Sequence, residues 1–120
     1  MVQVGGTLPA GFTGSNTTAE IALSPDGLHL YGSNRGHDSL AVFAAERDSG
    51  RLRAAGEAGA GGRTPRHFAL DPSGRVLLVA HQDSDSLALF RLDAASAMPI
   101  ATGAKVGVSK PVCVLFVPAR

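Results

Sequence analysis

Charged, imidazole and amide side chains of this sequence gather in two stretches about 47 residues apart. The residues with the clearest chemical potential are Glu20, Asn34, Arg35 and His37 in the first stretch, and Arg66, His67 and Gln82 in the second. A guanidinium offers paired donors to a carboxylate or phosphate and can stabilise an oxyanion, while a carboxylate or imidazole can take a proton from water. We therefore predict Arg35 and Arg66 to bind an anionic group, with Arg35 also catalytic. Glu20, His37 and His67 are candidate catalytic bases.

The two stretches belong to an internal repeat. Residues 22–27 (ALSPDG) recur as residues 69–74 (ALDPSG), and ten of 25 positions are identical between residues 19–43 and 66–90. A third start at residues 110–116 aligns with residues 64–70 after one deleted residue. A repeat of this length predicts one small structural unit per copy.

Each repeat predicts four short strands, because apolar residues alternate or cluster over four to seven positions and then break at Gly, Pro, Asp or Ser. The predicted strands cover residues 21–24, 28–33, 40–44, 52–57, 68–70, 76–80, 87–92 and 100–106. Ser-Pro-Asp-Gly and Asp-Pro-Ser-Gly are turn sequences and predict hairpins. Four strands in 40 to 50 residues are typical of a β-propeller blade, so the fold class is all-β, a β-propeller fragment of about 2.5 blades.

The repeat also predicts the organisation of the chain. We expect residues 1–18 to end a preceding blade and form an inter-blade loop, 19–64 and 65–110 to be blades, and 111–120 to be the innermost strand of a closing blade. A propeller closes with roughly four to eight blades. The 120 residues are therefore expected to be a fragment, a subunit that completes its ring with other copies through open strand edges, or a truncated reading frame without function.

Strand direction predicts where the candidate residues meet. In an antiparallel blade the start of strand one, the end of strand two and the start of strand three lie at one face, and the Pro-Gly hairpins lie at the other. All of the candidates fall at the first face, where we expect Asn34 and Gln82 to contact substrate. Asp38-Ser39 recurs as Asp85-Ser86, and this repetition favours loop-bracing hydrogen bonds over catalysis.

Composition excludes several function classes. The formal net charge is +1 with no basic block, which argues against nucleic-acid and anionic-membrane partners. No apolar run of 18 residues and no signal-peptide layout is present, so a cytoplasmic location is expected. The single Cys113 cannot form an internal disulfide and is predicted to be a buried, inert thiol. No cofactor or metal is predicted, although Glu20 and Asn34 could imitate part of a metal site.

Four segments carry a family resemblance, and the similarity extends from about residue 7 to residue 117. These segments are residues 33–40 (SNRGHDSL), 64–68 (TPRHF), 82–86 (QDSDS) and 111–114 (PVCV). They resemble the C-terminal part of the seven-bladed lactonase propellers, the 6-phosphogluconolactonase-like family. The resemblance implies hydrolysis of an anionic sugar lactone to the acid, with Arg35 and Arg66 holding the anionic group and Glu20 or a histidine activating water.

Two other interpretations stay open. A cyclase or isomerase acting on carboxylated lactones would use the same arginines. A non-catalytic propeller resembling the YVTN-repeat proteins, whose pattern is shared by residues 24–34, would serve as a protein-binding platform. The two repeats differ at Arg35 against Gln82 and at His37 against Ser84, which favours an enzyme over a plain repeat array.

Overall fold

The computed structural model describes residues 1–119, which form two four-stranded antiparallel sheets that confirm the all-β class. The first sheet has the order β1-β2-β3-β4 and the second β5-β6-β7-β8. The strands are β1 (Thr17–Leu23), β2 (His29–Arg35), β3 (Ser39–Ala45), β4 (Leu52–Gly59), β5 (Pro65–Leu70), β6 (Val76–His81), β7 (Ser86–Leu92) and β8 (Pro99–Gly107). A single 3₁₀ turn, Gln82–Ser84, joins β6 to β7. Within residues 1–119, no helix is long and apolar enough to cross a membrane.

Equivalent turns close the first hairpin of each sheet. Gly27 and Gly74 both have positive φ, +74° and +70°, which glycine adopts at little cost. The Asp26 carboxylate accepts hydrogen bonds from the Ser24 hydroxyl and from the Leu28 N–H. These two bonds hold the pKa of Asp26 below its usual value. The predicted hairpins are confirmed.

The core lies between the two sheets and joins them into one body. Its largest fully buried side chains include Tyr31, Leu40, Phe68 and Leu77. The Tyr31 hydroxyl donates to the Ala97 carbonyl oxygen at 2.8 Å, so a polar bond crosses from the first sheet to the second. Burial raises the pKa of Tyr31 to about 12. Strands β1 and β2 pack against β5, which places the innermost strands of the two blades side by side.

A repeated joint connects each blade to the segment that follows it. Asp38 and Asp85 both adopt left-handed backbone angles, φ 55° and 49°. The Asp38 carboxylate accepts the Thr64 N–H and the Asp85 carboxylate accepts the Lys110 N–H, each at 2.9 Å. The predicted bracing role of these aspartates is confirmed, and the alignment of residue 110 with residue 64 holds in three dimensions.

The first residues of the chain cover part of the first blade. Residues 1–16 form no strand. The Gln3 side-chain amide donates to the Leu52 carbonyl oxygen and accepts the Leu52 N–H, both at 2.8 Å, at the free edge of β4. Gln3 thus makes the pair of hydrogen bonds that a neighbouring strand would make there.

Residues 108–119 bear on two predictions, the strand of a closing blade and the burial of Cys113. No strand is present in residues 108–119, because this stretch has no strand partner within the part of the chain that the structure describes. The closing-blade strand predicted over 111–120 therefore stays a prediction, and its last residue lies outside the described residues. Cys113 is exposed, so the prediction of a buried thiol is wrong. Its burial would have required flanking strands.

Candidate functional site

A β-bulge interrupts the innermost strand of each blade at equivalent positions. In the first blade the register shifts between Thr18 and Ile21, and in the second between Pro65 and His67. Glu20 and Arg66 lie in these two irregularities. A bulge leaves a residue unpaired and re-aims its side chain. Two of the predicted site residues thus occupy the points where the regular sheet geometry is broken.

The bulge of the first blade is held by Ser33 on the neighbouring strand. The Ser33 hydroxyl is fully buried and accepts the Glu20 N–H at 3.1 Å. The carboxylate of Glu20 then folds onto its own strand, where Oε1 accepts the Ile21 N–H at 2.8 Å. The side chain is therefore anchored at one oxygen while the other oxygen points toward the second blade.

Glu20 and His67 meet across the blade boundary. Glu20 Oε2 lies 2.7 Å from His67 Nε2, and the side chains are only 28% and 23% exposed, respectively. The two residues occupy the same position in successive repeats, so both belong to innermost strands. The structure thus brings together two of the four predicted catalytic residues.

The third repeat supplies the other contact of His67. The Val114 N–H donates to His67 Nδ1 at 3.2 Å. An acceptor Nδ1 carries no proton, so the ring proton lies on Nε2 and is donated to Glu20. Both ring nitrogens of His67 are therefore occupied. In this arrangement His67 orients the Glu20 carboxylate, and Glu20 is the group with lone pairs left for a water molecule.

Arg35 and Arg66 provide positive charge at the predicted face. Arg35 ends β2, and its Nη2 donates to the Thr18 carbonyl oxygen at 3.3 Å, while its buried Nε has no hydrogen-bond partner in residues 1–119. Arg66 is exposed, and its Nη1 donates to Gln82 Oε1 at 3.3 Å. Each guanidinium therefore keeps donors free for an anion. Gln82 holds Arg66, while its predicted contact with substrate stays a prediction.

Asn34 has a different role from the one expected. The side chain is fully buried, and its Oδ1 accepts hydrogen bonds from the Thr7 hydroxyl and the Asn16 amide. Its Nδ2 donates to the Thr7 carbonyl oxygen and to Ser39 Oγ. All four hydrogen bonds of the amide are used, which leaves nothing to bind substrate or a metal. We therefore assign Asn34 to bracing the N-terminal segment against β2.

The same network reaches the ring of His37. Ser39 Oγ accepts from Asn34 Nδ2 and lies 2.7 Å from His37 Nδ1. The ring of His37 also packs edge-to-face on Phe12, with centroids 4.8 Å apart. A hydroxyl that accepts one hydrogen bond keeps both its proton and a second lone pair, so this contact forms with either tautomer of His37. The predicted role of His37 as a general base stays a prediction.

The Glu20 carboxylate thus contacts His67 Nε2 and the Ile21 N–H, and the two arginines lie at the same end of the sheets. The arrangement can activate water at Glu20 and stabilise negative charge at the arginines. Among residues 1–119, no three His, Cys, Asp or Glu side chains are close enough to hold a metal ion. Sequence reasoning missed the Val114 N–H, since a backbone amide has no signature in residue type.

Comparison with known proteins places this chain in a family. Residues 1–116 match the lactonase, seven-bladed β-propeller family. The periplasmic gluconolactonase PpgL of Pseudomonas aeruginosa superposes with a TM-score of 0.88 at 40% identity, over 92% of this chain and 31% of that protein. A Lactobacillus plantarum protein superposes with a TM-score of 0.86 at 40% identity, over 93% of this chain and 33% of the other.

A curated relative extends the comparison by sequence. The 6-phosphogluconolactonase of Bacillus subtilis is 41% identical over 51 residues, which are 42% of this chain and 15% of that enzyme. The chain spans about a third of the length of the two solved structures that it matches. The predicted recognition is confirmed: the chain belongs to the seven-bladed β-propeller lactonase family.

Proposed function

We propose that this chain forms part of the active site of a hydrolase that opens an anionic sugar lactone to its acid. The observation that carries this proposal is the pair Glu20–His67, in which an oriented carboxylate lies at the boundary of two blades. The names of the P. aeruginosa and B. subtilis relatives support a lactone as the substrate class.

In the proposed reaction, Glu20 acts as the general base. It removes a proton from water as the oxygen attacks the lactone carbonyl carbon, and the carbonyl oxygen becomes an oxyanion. Collapse of this intermediate breaks the bond to the ring oxygen, which takes the proton back from Glu20. One lactone and one water give one hydroxy acid. His67 keeps the carboxylate oriented through both steps.

The arginines have separate tasks in this scheme. Arg66 is the more exposed of the two and is suited to the anionic group that the substrate carries into the site. Arg35 is half-buried, and its Nη2 donates to the Thr18 carbonyl oxygen, so its remaining Nη hydrogens are suited to the oxyanion, where a donor in a drier environment stabilises charge more strongly.

The proposal is tested in a complete ring. A chimera in which this chain replaces the matching third of the P. aeruginosa gluconolactonase would be assayed for acid release from gluconolactone and 6-phosphogluconolactone. We expect Glu20→Gln to lower kcat/KM at least about 100-fold, the usual contribution of a general base. Arg35→Ala should lower it at least about tenfold, through loss of charge stabilisation.

Arg75→Ala is the matched control, because Arg75 lies beside the hairpin turn at the opposite end of the blade. It should leave kcat/KM within about twofold of the parent, as expected for a surface change away from the site. Lactone turnover that survives both Glu20→Gln and Arg35→Ala would rule out this active site. A ring that folds but shows no turnover even before substitution would favour a protein-binding platform.

A further inference from the structure

His67 receives its second hydrogen bond from a segment that has no strand of its own. Val114, which donates to His67 Nδ1, lies within residues 108–119, where no backbone ladder fixes the chain. A single amide of an irregular segment keeps a constant position only if something nearby anchors that segment. The anchor therefore decides whether His67 finds a donor at Nδ1.

Asp85 supplies that anchor through both its backbone and its side chain. Its carbonyl oxygen accepts the Val108 N–H at 3.0 Å, and its carboxylate Oδ1 accepts the Lys110 N–H at 2.9 Å. Pro111, which follows Lys110, is buried. These contacts fix the chain over residues 108–111, three residues before the amide that touches His67.

From these contacts we propose that Asp85 is a positioning residue that sets the tautomer of His67. Asp85 holds residues 108–111 so that the Val114 N–H meets Nδ1, and the ring proton is thereby kept on Nε2 and donated to Glu20. This inference rests on the proposed function, in which Glu20 is the base. It assigns to Asp85 and Val114 a role in the orientation of that base.

The alternative tautomer shows what this positioning achieves. With the proton on Nδ1, the lone pair of Nε2 would face the lone pairs of Glu20 Oε2 at a distance of 2.7 Å. Two acceptors at this distance repel each other, so the carboxylate would turn away. Control of one proton on His67 is therefore control of the position of the general base.

The equivalent aspartate of the first blade makes the comparison informative. Asp38 holds Thr64, three residues before His67 itself, in the same way that Asp85 holds Lys110. Asp38 thus places the imidazole ring and Asp85 places its amide partner. The same kind of aspartate contact therefore positions both His67 and the Val114 N–H.

The test is the tautomer of His67, measured by ¹⁵N NMR of the imidazole nitrogens in the 120-residue chain at a pH where histidine is neutral. A His67→Gln spectrum identifies the His67 signals among the four histidines. The parent chain should show the Nε2–H form alone. Asp85→Gly removes the carboxylate, and glycine tolerates the left-handed backbone of this position. Because the Lys110 N–H then has no acceptor at Asp85, we expect loss of the single-tautomer signal.

Two further variants separate positioning from general stability. Asp85→Asn retains an acceptor oxygen and tolerates the left-handed conformation, so it should keep the parent tautomer. Val114→Pro removes the donor itself and leaves Asp85 intact, so it should reproduce the spectrum of Asp85→Gly. If Asp85→Gly does not fold, the Val114→Pro spectrum tests the proposal in its place. A parent chain with the proton on Nδ1, or a tautomer unchanged in Val114→Pro, would overturn the proposal.

The readout keeps this proposal distinct from the proposed function. If the tautomer changes as expected but lactone turnover by the ring is unaffected by Glu20→Gln, the catalytic proposal is refuted. The positioning role of Asp85 would then still stand. Turnover that depends on Glu20 while Asp85→Gly retains the Nε2–H form would refute the positioning alone. In the chimeric ring, Asp85→Gly should lower kcat and leave KM nearly unchanged, since no group that holds the substrate is removed.

Discussion

The single tyrosine of the chain is an internal reporter of contact between the two blades. Tyr31 is fully buried, and burial, reinforced by the charge of Asp26, raises its pKa from 10.0 to about 12. Above pH 10 the unfolded chain loses this proton while the folded chain keeps it, so the free energy of unfolding falls as the pH rises. The loss should reach about 1.4 kcal/mol at pH 11 and at most about 2.7 kcal/mol above pH 12.

The assay combines two measurements on the same sample. Near-ultraviolet absorbance follows phenolate formation without interference, because the chain has one tyrosine and no tryptophan. Denaturant unfolding between pH 7 and pH 11 gives the free energy of unfolding at each pH. The phenol should ionise near pH 12 in the folded chain and near pH 10 in denaturant.

Tyr31→Phe is the control that isolates the phenol. At pH 7 it should cost about 1 kcal/mol, since the hydrogen bond to the Ala97 carbonyl oxygen is lost. Between pH 10 and 11 it should lack the additional decline of the parent, so the two stabilities converge. A folded-state phenol that ionises near pH 10, or equal alkaline slopes for parent and variant, would refute the burial argument.

Two further predictions concern stability. Asn34→Ala should lower the free energy of unfolding by about 1–3 kcal/mol, because it leaves the buried Ser39 hydroxyl and the Thr7 segment without their partner; denaturant unfolding would measure this, and a neutral result would contradict the bracing role. Gly36→Ala should also destabilise by about 1–3 kcal/mol, because its Cβ would approach the Ser15 carbonyl oxygen at φ +118°. Gly59→Ala is the control for Gly36, since its Cβ would meet nothing within 4 Å, and equal effects of the two changes would contradict the steric argument.

The strands were predictable because their signals are local. The strand predicted over residues 76–80 is observed as Val76–His81, and that predicted over 87–92 as Ser86–Leu92. Alternation of apolar residues and Pro-Gly turn chemistry act within a few residues, so they can be read directly from the sequence. The direction of the strands was enough to predict at which end of the sheets the candidate residues lie.

The pairing within the site required the fold. Glu20 and His67 are equivalent in the repeat, and this equivalence is a signal that could have placed both near the axis. Their contact also depends on the bulge at Glu20, which alternation does not reveal. The proton position on His67 depends on the Val114 N–H, which is distant in sequence. Residue type alone does not specify this proton position.

The amide of Gln3 has a consequence for how this protein meets other chains. An incoming extended segment adds to a sheet by bonding to the outward N–H and C=O groups of an edge strand. At Leu52 both groups are already bonded to Gln3, so the outer edge of the first blade is blocked at that register. Among residues 1–119 no side chain pairs in this way with β8, whose eight residues after Pro99 are all exposed. The outer edges of the two blades therefore differ: β4 is blocked at Leu52 by a side chain, whereas β8 has no such side-chain partner in the described residues.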